Sequence, residues 1–104
     1  MNEITASALH ARLVSGEELI LIDVREPYEH EEYNIGGTNI PVTELPFRID
    51  ELRALGDHEI VLYCQSGNRS MLAQKLLATQ FNIVNTTNLL GGARGWREAM
   101  KSEE

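Results

Sequence analysis

Short strand-like segments and amphipathic stretches alternate five times along this chain, and that alternation limits the fold more than any other feature. The expected strands are Glu3–Thr5, Leu19–Val24, Thr38–Ile40, Ile60–Tyr63 and Ile83–Leu89, of which Leu19–Val24 and Ile60–Tyr63 are the apolar runs. Between and after them lie helical patterns through about Val14, then Glu26–Tyr33, Pro46–Leu55, Ser70–Phe81 and Arg94–Lys101. A helix after every strand leaves no room for tight hairpins. The chain is therefore expected to be α/β, with a mostly parallel five-stranded sheet covered by helices on both faces. Leu19–Val24 is apolar except for Asp23, as befits a central strand packed from both sides.

The individual elements carry their own signals. Thr5 or Ser7 can cap the first helix, which places Leu9 and Leu13 on one face before Ser15-Gly16 ends it. Pro27 suits the first turn of the second. Phe47, Ile49, Leu52 and Leu55 form the apolar side of the third, and Leu72, Ala73, Leu76 and Leu77 that of the fourth. Asn82 follows the fourth helix and tolerates the left-handed turn a helix end often needs. Trp96 and Met100 face inward from the last helix, and His10 is expected at the surface.

The chemistry is concentrated in Tyr63-Cys64-Gln65-Ser66-Gly67-Asn68-Arg69-Ser70. A buried strand runs straight into the only cysteine. A polar loop with a glycine follows, then a helix. Loop amides and the positive end of a helix dipole both favour a thiolate over a thiol. Gly67 permits the backbone angles of a concave nest of N–H groups. Arg69 brings a fixed positive charge five residues after the sulfur, suited to lowering the Cys64 pKa and to binding an anionic head. Gln65 and Ser66 are further hydrogen-bond donors. A buried structural thiol is the bland alternative, but so polar an exit from a core strand argues against it.

This loop resembles the active-site loop of the rhodanese family of sulfurtransferases. Two further pieces match in order. Leu21-Ile22-Asp23-Val24-Arg25-Glu26-Pro27-Tyr28-Glu29 is similar to the upstream signature of that family, and Asn88-Leu89-Leu90-Gly91-Gly92, with Trp96 beyond, to its downstream one. The resemblance implies a single rhodanese-like domain over 1–104 with a core of about 4–101. It implies catalytic Cys64, a substrate-binding loop of Gln65, Ser66, Gly67, Asn68, Arg69 and Ser70, and structural support from Asp23 and Arg25. The implied reaction moves a sulfane sulfur from a small anionic donor such as thiosulfate to cyanide, a thiol or a protein thiol, through a Cys64 persulfide. No metal or organic cofactor is implied. Two rivals stand beside it: a persulfide relay between proteins with little small-molecule turnover, and a cysteine phosphatase or arsenate reductase. Against the latter, cysteine phosphatases place arginine six positions after the nucleophile, whereas only Gln65 to Asn68 separate Cys64 from Arg69 here. The chain departs from the family pattern at Gly36, where proline is usual, and at Thr38, where alanine is usual; Gly36 is expected to loosen that turn.

Charge and cysteine count set the remaining expectations. The net charge of −7 is uneven: residues 1–60 carry −9 and residues 61–104 carry +2. The acidic whole argues against nucleic acid as a partner, while the basic half that holds Cys64 favours an anionic substrate. Glu29, His30, Glu31 and Glu32 read as a solvated acidic face rather than a metal site, because neighbours on a helix diverge. His58 precedes the Cys64 strand, and nothing in the sequence brings it to the sulfur. No apolar run nears the ~20 residues of a membrane span, no leader pattern opens the chain, and a lone cysteine suits a reducing compartment. A cytoplasmic protein with no membrane partner is expected.

Overall fold

In the fourth strand, side chains alternate between the two faces of the sheet. Ile60, Leu62 and Cys64 join one core cluster, and Val61 and Tyr63 the other. This alternation decides on which side of the sheet the thiol lies. The computed structural model describes residues 2–102, so Met1, Glu103 and Glu104, and with them the ends of the expected domain, lie outside it. The elements run β1 (Asn2–Ile4), α1 (Ala6–Val14), β2 (Ile20–Asp23), α2 (Pro27–Glu32), β3 (Thr38–Asn39), a one-to-two-turn 3₁₀ helix (Val42–Phe47), α3 (Ile49–Arg53), β4 (Ile60–Tyr63), α4 (Asn68–Phe81), β5 (Thr86–Leu89) and α5 (Gly92–Ser102).

All five strands are parallel, in the order β1-β5-β4-β2-β3. The chain thus has the α/β architecture, with β4 at the centre. The cluster on one face joins Ile22, Leu62 and Cys64 to Leu45, Leu52, Ala73 and Leu77 from the 3₁₀ helix, α3 and α4. The other face packs Leu21, Val61 and Tyr63 against Leu9 of α1 and Ala93 and Trp96 of α5. Thr5 caps α1, its hydroxyl accepting from the Ala8 amide at 3.1 Å. Asn82 takes the left-handed conformation at the end of α4, φ 55°.

Several expectations change. The single helix over Pro46–Leu55 is two pieces, the 3₁₀ helix and α3, broken at Arg48 with φ −120°. Pro46 lacks an amide hydrogen and cannot extend an α-helical ladder through this point. The break turns Leu45 into the core and leaves Phe47, expected inside, 88% exposed. Leu72, also expected inside, is exposed. Helix α4 begins at Asn68, two residues earlier than expected, and its buried face runs through Ser70, Ala73, Gln74 and Leu77. Leu72 lies off that i, i+3, i+4, i+7 stripe. His10 is half-buried rather than at the surface, edge-on to the Trp96 ring with centroids 5.9 Å apart.

Gly36 has φ 103°, an angle that proline cannot adopt. The turn at that point therefore follows a path the family's usual residue would forbid. It is nevertheless anchored: the Tyr63 hydroxyl donates to the Gly36 carbonyl at 2.8 Å and accepts from the Ile35 amide at 3.3 Å.

Candidate active site

Cys64 follows β4 directly, at the C-terminal edge of the sheet where open α/β folds place their sites. Its side chain is fully buried. The loop from Cys64 to Asn68 folds around the sulfur. The Gly67 amide donates to Sγ at 3.1 Å, the Ser70 amide at 3.4 Å, and the Ser70 hydroxyl lies 3.4 Å away. Gly67, at the mouth of α4, has φ 102°, which aims its N–H inward and which only glycine adopts cheaply. Burial pushes the Cys64 thiol up. The Ser70 hydroxyl and the Ser70, Gly67 and Ser66 amides outweigh that and bring it below its ordinary value.

The loop carbonyls are held the other way. At the start of α5, the Ala93 amide donates to the Cys64 carbonyl at 2.8 Å and the Arg94 amide to the Gln65 carbonyl at 3.0 Å. A helix N-terminus thus gathers the carbonyl oxygens on one side of the loop while a second helix N-terminus meets the sulfur on the other. Gly92 makes this approach possible. A Cβ on it would stand 2.5 Å from the Cys64 carbonyl oxygen.

Beneath the loop, Asn88 at the end of β5 is buried between Ser70 and Gly67. Ser70 Oγ lies 2.5 Å from Asn88 Oδ1, and Asn88 Nδ2 donates to the Gly67 carbonyl at 3.3 Å. Ser70 has one hydroxyl proton. Three acceptors lie within its reach: Asn88 Oδ1, the Gly67 carbonyl and the Cys64 sulfur. The sequence marked Asn88 only as the first residue of the downstream signature; its place against the cysteine loop, on the strand next to β4, is a tertiary fact.

Asp23 and Arg25 form a fully buried ion pair. Arg25 Nε donates to Asp23 Oδ1 at 2.9 Å and Nη2 to Oδ2 at 2.8 Å. Burial works against the Arg25 charge, and Asp23 holds its pKa up. The remaining Arg25 donors tie loops together, Nη2 to the Tyr33 carbonyl at 2.6 Å and Nη1 to Gln65 Oε1 at 3.1 Å. The bond from Arg25 uses only the side-chain oxygen of Gln65, a residue that also lines the adjacent cleft. Asn39 completes the brace by donating to the Asp23 and Arg25 carbonyls, both at 3.0 Å. Ser66 and Asn68 are exposed at the loop surface.

Arg69 is not free. Its Nη1 and Nη2 donate to Glu29 Oε1 and Oε2 at 2.8 and 2.9 Å, with Arg69 43% exposed and Glu29 only 17%. The guanidinium holds the Glu29 carboxyl down to about 2, and Glu29 in turn raises the Arg69 pKa. The contribution of Arg69 to the sulfur is therefore screened by a carboxylate, and the amides and Ser70 carry most of the thiolate stabilisation. The acidic face expected on α2 is accordingly split. Glu31 and Glu32 are exposed, Glu29 pairs with Arg69, and His30 Nδ1 lies 2.8 Å from Asp23 Oδ2. Among the described residues no three His, Cys, Asp or Glu side chains gather as a metal site. His58 precedes β4, at the opposite end of the strand from Cys64, with Nδ1 2.8 Å from the Leu55 carbonyl.

Two clefts flank the loop. One, of about 550 Å³, lies between α2 and α5 and is lined by Tyr28, Glu29, Tyr33, Gln65, Arg94 and Arg97, among others. The other, of about 220 Å³, is more apolar and lined by Val24, Val42, Leu72 and Arg69.

A family model for the rhodanese-like domain matches residues 5–99 of this chain. A protein of Allochromatium vinosum named sulfurtransferase is 34% identical over 92% of this chain and 88% of its own length. A rhodanese-related protein of Thermoplasma volcanium, solved as a crystal structure, superposes with a TM-score of 0.75 at 28% identity, over 95% of this chain and 93% of that one. A Rhodopseudomonas palustris structure described as a protein of unknown function and candidate tyrosine phosphatase superposes with a TM-score of 0.82 at 28% identity, over 96% of this chain and 82% of its own.

Proposed function

We propose, from the premise that this chain belongs to the rhodanese-like domain family, that it is a sulfurtransferase working through a Cys64 persulfide. The observation that carries this reading is the cradle of the Gly67 amide, the Ser70 amide and the Ser70 hydroxyl around one buried sulfur. Donors aimed at a sulfur hold negative charge there before and after transfer, which is electrostatic preorganisation.

The reaction is a double displacement. The Cys64 thiolate attacks the sulfane sulfur of the donor. With thiosulfate, the donor's S–S bond breaks, sulfite leaves with the electron pair, and Cys64 becomes a persulfide. In the second half, cyanide, a thiol or a protein thiol attacks the outer sulfur. The new S–S bond breaks and the Cys64 thiolate is restored. Ping-pong kinetics follow, and no metal or organic cofactor enters either half. Asp23 and Arg25 hold the loop through Gln65 and touch no reacting atom.

A phosphatase reading draws on the similarity to the Rhodopseudomonas palustris structure. The loop length weighs against it. Four residues between Cys64 and Arg69 make a cradle one residue shorter than a phosphatase loop, and a phosphorylated sulfur has three oxygens to accommodate where a persulfide has one added atom. The test is a panel of thiosulfate, organic persulfides and aryl phosphates with cyanide and thiol acceptors, on wild type and Cys64→Ser. Sulfur transfer lost in Cys64→Ser supports the proposal. Cys64-dependent aryl phosphate hydrolysis would overturn it, and transfer only to a protein thiol would make this a relay.

A further inference from the structure

A buried amide on an interior strand is out of place unless something there uses it. Asn88 of β5 pairs in register with Leu62 of β4, so its side chain points to the face of the sheet that holds Leu62 and Cys64. It is 5% exposed. Both polar atoms of its amide are spent at the cysteine loop, one on Ser70 and one on Gly67.

The hydrogen-bonding capacity of each group fixes how they share one proton. The Gly67 carbonyl has two acceptor positions. The Met71 amide takes one at 3.2 Å, and Asn88 Nδ2 the other at 3.3 Å. A reversed Asn88 amide would set its oxygen against that carbonyl, acceptor to acceptor. Nδ2 therefore faces Gly67, and Oδ1 faces Ser70. The Ser70 hydroxyl can only donate to Oδ1, which lies 2.5 Å away. With the Gly67 carbonyl filled, the single Ser70 proton is contested by two acceptors, Asn88 Oδ1 and, at 3.4 Å, Cys64 Sγ.

We propose that Asn88 is a positioning residue for sulfur transfer: by competing for the Ser70 proton it keeps the Cys64 sulfur less fully hydrogen-bonded, and so a stronger nucleophile, than the cradle alone would leave it. This rests on the sulfurtransferase reading above. A thiolate that gives up a donor is more basic, and a more basic thiolate attacks faster once ionised. In that attack the thiolate electron pair forms the new S–S bond, and the donor's leaving group departs with the pair of the old one. Asn88 touches no reacting atom. An Asn88 that only tied β5 to the loop would act with the opposite sign. Its removal would loosen the Gly67 and Ser70 donors and raise the midpoint of Cys64 alkylation, whereas removing a competitor lowers it.

The experiment follows Cys64 alkylation and persulfidation against pH in wild type, Asn88→Leu, Ser70→Ala and the double variant, with thiosulfate and glutathione persulfide as sulfur donors. Asn88→Leu keeps the branched shape and removes the acceptor. Its alkylation midpoint should fall by about one pH unit, tenfold in the ionisation constant, the order of one hydrogen bond. Above both midpoints it should take up sulfur about threefold more slowly than wild type, as a thiolate one unit less basic does. In the Ser70→Ala background the same substitution should not lower the midpoint. The charged groups about the loop are the Glu29–Arg69 and Asp23–Arg25 pairs, with Arg94 and Arg97 of α5 beside Gln65; all of them are kept in every variant. The side-chain amide NMR resonances of Asn88 need no substitution at that position. They should shift with the Cys64 midpoint as the Ser70 proton turns to the thiolate, and Ser70→Ala should abolish the shift. A midpoint that rises or stays put in folded Asn88→Leu, a fall that persists without the Ser70 hydroxyl, an unchanged plateau rate, or Asn88 resonances indifferent to Cys64 ionisation would overturn the inference and leave Cys64 sulfur transfer standing. A wild type that takes sulfur from neither donor would overturn the sulfurtransferase reading and, with it, the role of Asn88.

Discussion

Replacing Gly92 with alanine should damage the cysteine cradle from a residue that never touches the sulfur. The added Cβ would stand 2.5 Å from the Cys64 carbonyl oxygen and 2.6 Å from the carbonyl of Gln65. Ordinary contact begins near 3.4 Å, so α5 and the loop must part by almost an ångström. That separation breaks the bonds from the Ala93 and Arg94 amides to these carbonyls, 2.8 and 3.0 Å long. Each lost bond is worth about 1 kcal/mol, and more where a group is left buried and unpaired. The left-handed φ of 60° adds roughly 1 kcal/mol for alanine. The sum is about 3–5 kcal/mol. Gly16 is the control. It also has a left-handed φ, 88°, but a Cβ there meets nothing within 4 Å, so Gly16→Ala should cost only about 1 kcal/mol. Urea midpoints at constant m give both numbers, and alkylation of Cys64 against pH shows whether the cradle has opened. A Gly92→Ala protein within about 1 kcal/mol of Gly16→Ala, or one whose alkylation midpoint equals that of wild type, would refute the reasoning.

Three further outcomes are expected. Cys64 should alkylate with a midpoint below the ~8.5 of a free thiol, and Ser70→Ala should move it upward; a wild-type midpoint at or above that value would contradict the cradle's effect. Asp23→Ala strands the buried Arg25 guanidinium and should cost ~3–5 kcal/mol, with Asp23→Ala/Arg25→Met recovering part of the loss; equal stability of the two variants would show that the stranded charge is not the cause. The Glu29 carboxyl lies at about 2 in the folded chain against ~4.3 unfolded, so its stabilisation is complete above ~4.3 and fades as pH falls toward 2; the gap between wild type and Glu29→Gln in urea midpoint, on the order of 1 kcal/mol for a pair at the rim, should close over that window, and a gap that widens would reverse the sign.

The parallel sheet was legible because the strand segments are short and are separated by helical patterns, several of which stop at Gly16, Gly56 or Asn82. Cys64 and its loop were legible for the same local reason: strand, glycine turn and helix follow one another within eleven residues, 60–70. What periodicity missed were positions whose neighbours are distant in sequence. Leu72 and Phe47 look like core residues on a helical wheel, yet the start of α4 at Asn68 and the break at Arg48 rotate them outward. Glu29 reads as one more acid in a charged run, and only the approach of α2 to the loop, forty residues away in sequence, gives it Arg69 as a partner. Asn88 closes the cradle from β5 for the same kind of reason. The charge balance of Arg69 depends on Glu29, a partner that no local pattern could supply.

The central claim is that Cys64 carries the transferred sulfur, and intact mass measures that most directly. Wild type incubated with a sulfane sulfur donor, thiosulfate and glutathione persulfide in parallel, should gain the mass of one sulfur atom, and cyanide or excess thiol should remove it. Cys64→Ser should gain nothing under the same conditions. A gain that survives in Cys64→Ser, or a wild type that gains nothing from either donor, would contradict the account.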